Sequence, residues 1–117
     1  MQKPYLTAPN ISGVIQEVVQ ASKDTLGNKL DKVILFGSYA RGDFDDESDI
    51  DFLIIANVSQ EEASTQHANI RSKIPLIDLD YDIVVSLNVT GREIYNNYVN
   101  ILPMYKNVER EGILLYA

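Results

Sequence analysis

"LFGSYARGDFDDESDIDFLIIA", residues 35–56, places six acidic side chains in the nine positions from Asp43 to Asp51, between two hydrophobic runs. A Gly-Ser pair, Gly37 and Ser38, stands just upstream, and Arg41 is the only basic residue of the stretch. Like charges held a few Å apart oppose the compact state unless a positive charge sits among them. The stretch has too few cations of its own, so one from outside is expected.

Working outward, "DKVILF" (31–36) reads as a short buried strand that stops at Gly37. "SYARG" (38–42) reads as a helical turn, with Ser38 near its first position and Gly42 closing it. "DIDFLIIA" (49–56) is a second strand. Side chains alternate along a strand, so Asp49 and Asp51 share one face, roughly 6.6 Å apart. Ile50, Phe52 and Ile54 fall on the opposite, core-facing side. A third strand, "DYDIVVSL" (80–87), puts Tyr81, Ile83, Val85 and Leu87 on one face and Asp82 at the head of the other. If it neighbours the second strand, Asp82 completes a triad of carboxylates. Asp78 and Asp80 compete for that place, and the apolar run that begins right after Asp82 favours Asp82. Three converging carboxylates suit hard divalent ions such as Mg²⁺, and a two-ion site needs its metals about 3.5–4 Å apart. The missing positive charge is then metal.

Metals of this kind usually meet a phosphate. Gly37 permits a sharp turn and close approach of a ligand to the backbone, and the N–H groups at the start of the Ser38 helix favour an anion. Arg41, three residues on, could reach the phosphates or brace the acidic loop. Singly these features are bland. A Gly-Ser after a strand is usually only a turn, and a lone Arg41 is a surface ion-pair partner. Asp43, Asp45, Asp46 and Glu47 read as solvated loop residues, Tyr39 as packing, and His67 receives no role.

The remaining elements are helical. Ile11, Val14, Ile15, Val18 and Val19 follow helical spacing in a helix ending near Gly27. Ser59 and Glu62 form a capping box for a helix reaching about Lys73 before Pro75. Its apolar face (Ala63, Ile70, Ile74) is weak, so it should be largely exposed. Thr90 and Glu93 make a second capping box, for a helix with Ile94, Tyr95, Tyr98 and Val99 on one face. Pro103 breaks or kinks it, and Gly112 ends the next turn before an apolar tail, "ILLYA". The order α-β-α-β-α-β-α implies an α/β (α+β) fold, with helices packed on a small mixed β-sheet.

With 117 residues the chain is expected to form one domain, 1–117. Its 45% hydrophobic and 23% charged content describe a globular protein. A net charge of −7 argues against direct binding of nucleic acid, which calls for a basic stripe. No apolar run approaches a membrane span and the start of the chain has no signal-like apolar segment, so no membrane partner is expected. The absence of cysteine excludes disulfides and thiolate zinc sites and fits a cytoplasmic protein.

Gly37-Ser38, ten residues, Asp49-x-Asp51 and a later acid opening a strand together resemble the signature of the DNA polymerase β-like nucleotidyltransferase superfamily. Within it, "FGSYARGD…SDIDFLI" is similar to the minimal nucleotidyltransferases, the MntA-type antitoxins paired with HEPN-domain toxins. The resemblance is strong over residues 33–87. It implies a polymerase β-like fold and transfer of AMP from ATP to a hydroxyl with two Mg²⁺ ions. Carried over, Asp49 and Asp51 hold both metals. Asp82 helps ligate the catalytic metal and deprotonates the acceptor, while Gly37 and Ser38 bind the β- and γ-phosphates.

The family also suggests the acceptor. About 30 residues follow the third strand, too few for a separate substrate domain, so the acceptor should bring its own structure. The resemblance names it as a tyrosine of a HEPN-type RNase toxin, and the acidic surface would complement a basic, RNA-binding partner. Two rival readings are an antitoxin that covers its toxin without catalysis and a small-molecule nucleotidyltransferase.

Overall fold

The computed structural model describes residues 11–74, 77–78 and 83–117. Helix α1 (Ile11–Leu26) takes the stretch whose apolar residues recur at helical spacing, and it buries Ile11, Val14, Val18 and Leu26. A 3₁₀ turn (Gly27–Lys29) leads into β1 (Leu30–Phe36), and α2 (Ser38–Arg41) is one turn between Gly37 and Gly42. Then come β2 (Ile50–Ala56), α3 (Gln60–Arg71), a two-residue β3 (Ile77–Asp78) and β4 (Ile83–Gly91). Helices α4 (Arg92–Tyr98) and α5 (Pro103–Glu111) follow, and β5 (Ile113–Tyr116) ends the chain's regular structure.

The strands lie in the order β3-β4-β2-β1-β5, a mixed sheet with β2 at its centre. β2 runs antiparallel to β1, with Phe36 opposite Asp51, and parallel to β4, with Asp51 opposite Ser86. Helices lie on both faces of the sheet. Helices α1, α2 and α3 pack on Val33, Leu35, Ile50, Phe52, Ile54 and Val85 to form the larger core. Tyr95, Tyr105 and Val108 of α4 and α5 close over Ile34, Leu53 and Ile55 on the other side. Burying a side chain of this size contributes roughly 1.5–3 kcal/mol, so a central strand apolar on both faces anchors the fold.

The expected α/β plan, with helices on a small mixed sheet, is the observed one. Ser59 caps α3 as expected, its hydroxyl accepting the Glu62 N–H at 3.1 Å. α3 buries only Ala63 and Ile70, in keeping with its weak apolar face. Four details differ from expectation. The third long strand extends to Gly91, so Thr90 is a strand residue and no capping box forms; α4 starts after Gly91 without a side-chain cap. Thr90 instead bonds the Tyr105 hydroxyl at 2.9 Å and Gln60 Oε1 at 3.3 Å, partners that only the folded chain supplies. The tail "ILLYA" is strand β5, because β1 offers it an unpaired edge. β3 was not foreseen; Ile77 and Asp78 pair with Val84 and Ile83. Finally, His67 has a structural task. Its Nε2 lies 3.1 Å from the Leu87 carbonyl on the edge of β4 that α3 covers, which shields that edge from foreign strands.

Candidate active site

The turn after β1 and the entry to β2 meet side by side. Gly37 has φ 78° and ψ −156°, a region open essentially to glycine alone. A Cβ at this position would also collide with the Asp51 carboxylate. Backbone and carboxylate are thus in direct contact, across the Phe36–Asp51 pair that the sheet register sets. Ser38 follows at the first position of α2, whose single turn has too few peptide units for a strong dipole. What α2 offers an anion is therefore the backbone N–H groups of its first residues and the Ser38 hydroxyl. Gly42, at φ 89°, ends the turn in the left-handed conformation, its N–H donating to the Ser38 carbonyl.

The acidic loop is held by its own groups. The Asp45 carboxylate accepts the Glu47 N–H at 2.9 Å and the Ser48 hydroxyl at 3.2 Å. Phe44 stacks on Tyr39, ring centroids 4.4 Å apart, and Tyr39 is itself part of the larger core. Burial, then the charges of Asp46 and Asp45, raise the Tyr39 phenol above its ordinary value. Arg41 donates to Asp43 at 3.1 Å and to Glu111 of α5 at 3.2 Å, bracing the loop against the last helix.

Asp49 precedes β2 by one residue and is exposed, while Asp51 is half-buried. Burial, then the charge of Asp49, raise the Asp51 carboxyl above its ordinary value. A hydrogen bond from the Ser86 hydroxyl and the more distant charge of Arg41 pull it back in part. Ser86, opposite Asp51 on β4, had escaped notice in the sequence. It lies on the face that Asp82 was expected to head, but Asn88 and Thr90 are polar positions of the same strand, so nothing local singled it out. The two acids therefore lie together with less positive charge than they need, since Arg41 is already engaged by Asp43 and Glu111. Carboxylate and hydroxyl oxygens are hard donors, which suits Mg²⁺ better than softer metals. Among the described residues no third Asp, Glu, His or Cys joins them in a cluster able to hold a metal ion. Asp82 and its competitor Asp80 lie outside the described residues, and Asp78 falls in β3.

The glycine-serine turn and the Asp-x-Asp strand are thus in contact. The sequence matches the nucleotidyltransferase domain family over residues 13–84, and the protein belongs to that family. A relative from Methanocaldococcus jannaschii, named by inference a protein adenylyltransferase, is 36% identical over 107 residues, 92% of this chain and 99% of the relative. Among solved structures, the fold is similar to spectinomycin adenyltransferase of Enterococcus, crystallised with ATP and spectinomycin. That likeness has a TM-score of 0.66 at 16% identity over 91% of this chain and 56% of the enzyme. A chain from the complex of tri-AMPylated Shewanella oneidensis HEPN toxin with its MNT antitoxin is also similar. There the TM-score is 0.50 at 17% identity, covering 91% of this chain and 71% of that one. No helix among the described residues is long and apolar enough to cross a membrane.

Proposed function

We propose that the protein transfers AMP from ATP to a tyrosine hydroxyl of a HEPN-type RNase toxin, as its antitoxin in the cytoplasm, in a single domain spanning 1–117. The observation that carries this reading is the contact between the Gly37 backbone and the Asp51 carboxylate, with Asp49 beside it. With that contact, a turn that binds phosphate and a pair that binds cations would lie within reach of one triphosphate. The name of the M. jannaschii relative supports a protein acceptor, and the toxin complex of Shewanella oneidensis supports its kind.

In this reading Gly37 and Ser38 hold the β- and γ-phosphates through backbone N–H groups and the Ser38 hydroxyl. Asp49 and Asp51 would hold two Mg²⁺ ions, with Asp82 as a further ligand. When bound, Mg²⁺ supplies charge stabilisation at the α-phosphoryl group and acidifies the acceptor hydroxyl. The acceptor oxygen forms a bond to the α-phosphorus, the bond to the bridging oxygen of the leaving pyrophosphate breaks, and the acceptor proton passes to Asp82. Ser86 orients the Asp51 carboxylate through its hydrogen bond. Arg41 braces the acidic loop through Asp43 and Glu111, and a phosphate contact would require it to leave one of them.

The test is to incubate the purified protein with MgATP and the HEPN-type toxin of its own genome, then weigh the toxin intact. A mass gain of one or more AMP units on a tyrosine, absent with Asp51→Asn, is the expected result. Neutralisation of the toxin with no mass gain would leave binding alone as the mode of action.

A further inference from the structure

The face of the sheet that carries Asp51 and Ser86 continues two residues on to Leu53 and Asn88, which are register partners. Leu53 and Asn88 floor a groove of about 340 Å³ between α3 and α5, walled by Ser64 and His67 on one side and by Met104 on the other. The groove exists because the second layer is incomplete. α4 and α5 close over Ile34, Leu53 and Ile55, whereas Ser86 and Asn88 on β4 stay half-buried.

Part of its wall is tethered. The His67 ring is tethered through Nε2 to the Leu87 carbonyl at 3.1 Å, which leaves Nδ1 outside that bond. Thr90, joined to the Tyr105 hydroxyl and to Gln60, closes the end farther from Asp51. Asn88 Nδ2 is 3.5 Å from the Phe52 carbonyl, the outer limit of a hydrogen bond, so its amide is only loosely engaged. Met104, 37% exposed, gives the groove an adaptable apolar wall.

The sheet order assigns the groove a direction. In-line displacement requires the nucleophile to approach opposite the leaving group. If pyrophosphate leaves toward Gly37 and Ser38, it leaves past the end of β1. The order β1-β2-β4 then sets Gly37, Asp51 and Ser86 in a row across the sheet, and the acceptor must arrive from the β4 side. The groove lies on that side, over β4, its floor two residues along the strands from Asp51 and Ser86. Its volume sits at the small end of the roughly 300–1,000 Å³ of ligand pockets, which suits one side chain and its flanking amides.

We propose that the α3–α5 groove seats the acceptor's aromatic, hydroxyl-bearing side chain, the ring against Leu53 and Met104 and the flanking amides on Asn88 and His67. This deepens the transferase reading and rests on it for the direction of attack. The chain has only two methionines, so methyl-labelled Met104 gives a readily assigned NMR probe. N-acetyl-L-tyrosinamide at tens of millimolar should shift the Met104 methyl signal, and N-acetyl-L-alaninamide should not. In parallel, Ser64→Trp on the exposed side of α3 should fill the groove. It should raise the KM for AMP transfer to N-acetyl-L-tyrosinamide at least tenfold while the melting-temperature rise with MgATP stays as in the unsubstituted protein. An unmoved Met104 signal overturns the proposal. So does transfer by Ser64→Trp with unchanged KM, which would leave the transferase reading standing. Loss of the MgATP response in folded Ser64→Trp would assign the groove to the nucleotide and overturn it as well. No AMP transfer by the unsubstituted protein to the probe or to any protein would instead remove the transferase reading itself.

Discussion

The two faces of β2 meet different surroundings although the strand is apolar almost throughout. Ile50, Phe52, Ile54 and Ala56 are fully buried, sealed from end to end by α1, α2 and α3. The other face begins with Asp51 and only then continues to Leu53 and Ile55 beneath Tyr95, Tyr105 and Val108. The second layer stops short by one strand position. What would be core becomes a site within two residues, about 6.6 Å along the strand. Neighbouring residues on one strand should therefore fail in opposite ways when altered.

Asp51→Asn and Phe52→Ala give the largest contrast. Loss of Asp51's charge should lower AMP transfer by more than the roughly hundredfold typical of losing an outer-shell partner of a metal site. The fold should persist, as circular dichroism and thermal melting would show. Phe52→Ala should cost about 3–5 kcal/mol through the cavity it leaves, and lose activity only in proportion to the unfolded fraction. A destabilised Asp51→Asn, or a well-folded but inactive Phe52→Ala, would break the contrast.

This contrast was legible in the sequence because alternation is local: Asp51 and Phe52 must point apart in any strand. The lid over Leu53 and Ile55 was not, since it needs α4 and α5 to return over the sheet and bring Tyr95 and Tyr105 into contact, ring centroids 4.9 Å apart. Thr90 shows the same limit. Its spacing to Glu93 satisfies a local capping rule, yet strand pairing with Ile55 and the Tyr105 hydroxyl win. The Gly37–Ser38 turn and the Asp49–Asp51 pair were visible as a pattern, but their contact depends on the register between β1 and β2. Ser86 became identifiable only when the β2–β4 register put it opposite Asp51.

Gly37→Ala probes the boundary between the faces. The backbone conformation alone costs about 1–3 kcal/mol for a residue with a side chain, and the new methyl group would push the Asp51 carboxylate aside. Stability and transfer should fall together, unlike in either variant above. Thr90→Val tests the lidded end of the face. Leaving the buried Tyr105 hydroxyl without its partner should cost about 1–3 kcal/mol in urea unfolding, with the KM for ATP unchanged. A shift in that KM would mean that the lid and the site are one unit.

The smallest effect concerns charge alone, and its sign is diagnostic. The Asp51 carboxyl sits above its ordinary value of 3.8, so its ionised form is disfavoured in the folded chain relative to the unfolded one. That cost is present at neutral pH and fades as pH falls through the raised value, the reverse of a salt-bridged carboxylate. In metal-free buffer Asp51→Asn should therefore melt slightly above the unsubstituted protein near pH 7, and the gap should narrow as pH approaches the ordinary carboxylate range. Saturating MgATP should invert the order, because a ligand that binds only the folded, charged site adds RT ln(1 + [L]/Kd), about 2.7 kcal/mol at a hundredfold excess over Kd. Both faces of β2 would then be filled in the unsubstituted protein, one by helices and the other by its ligand. Without Asp51's charge the second would stay poorly filled. If the order does not invert, the crowding of acid at the entry to β2 answers to something other than a cation.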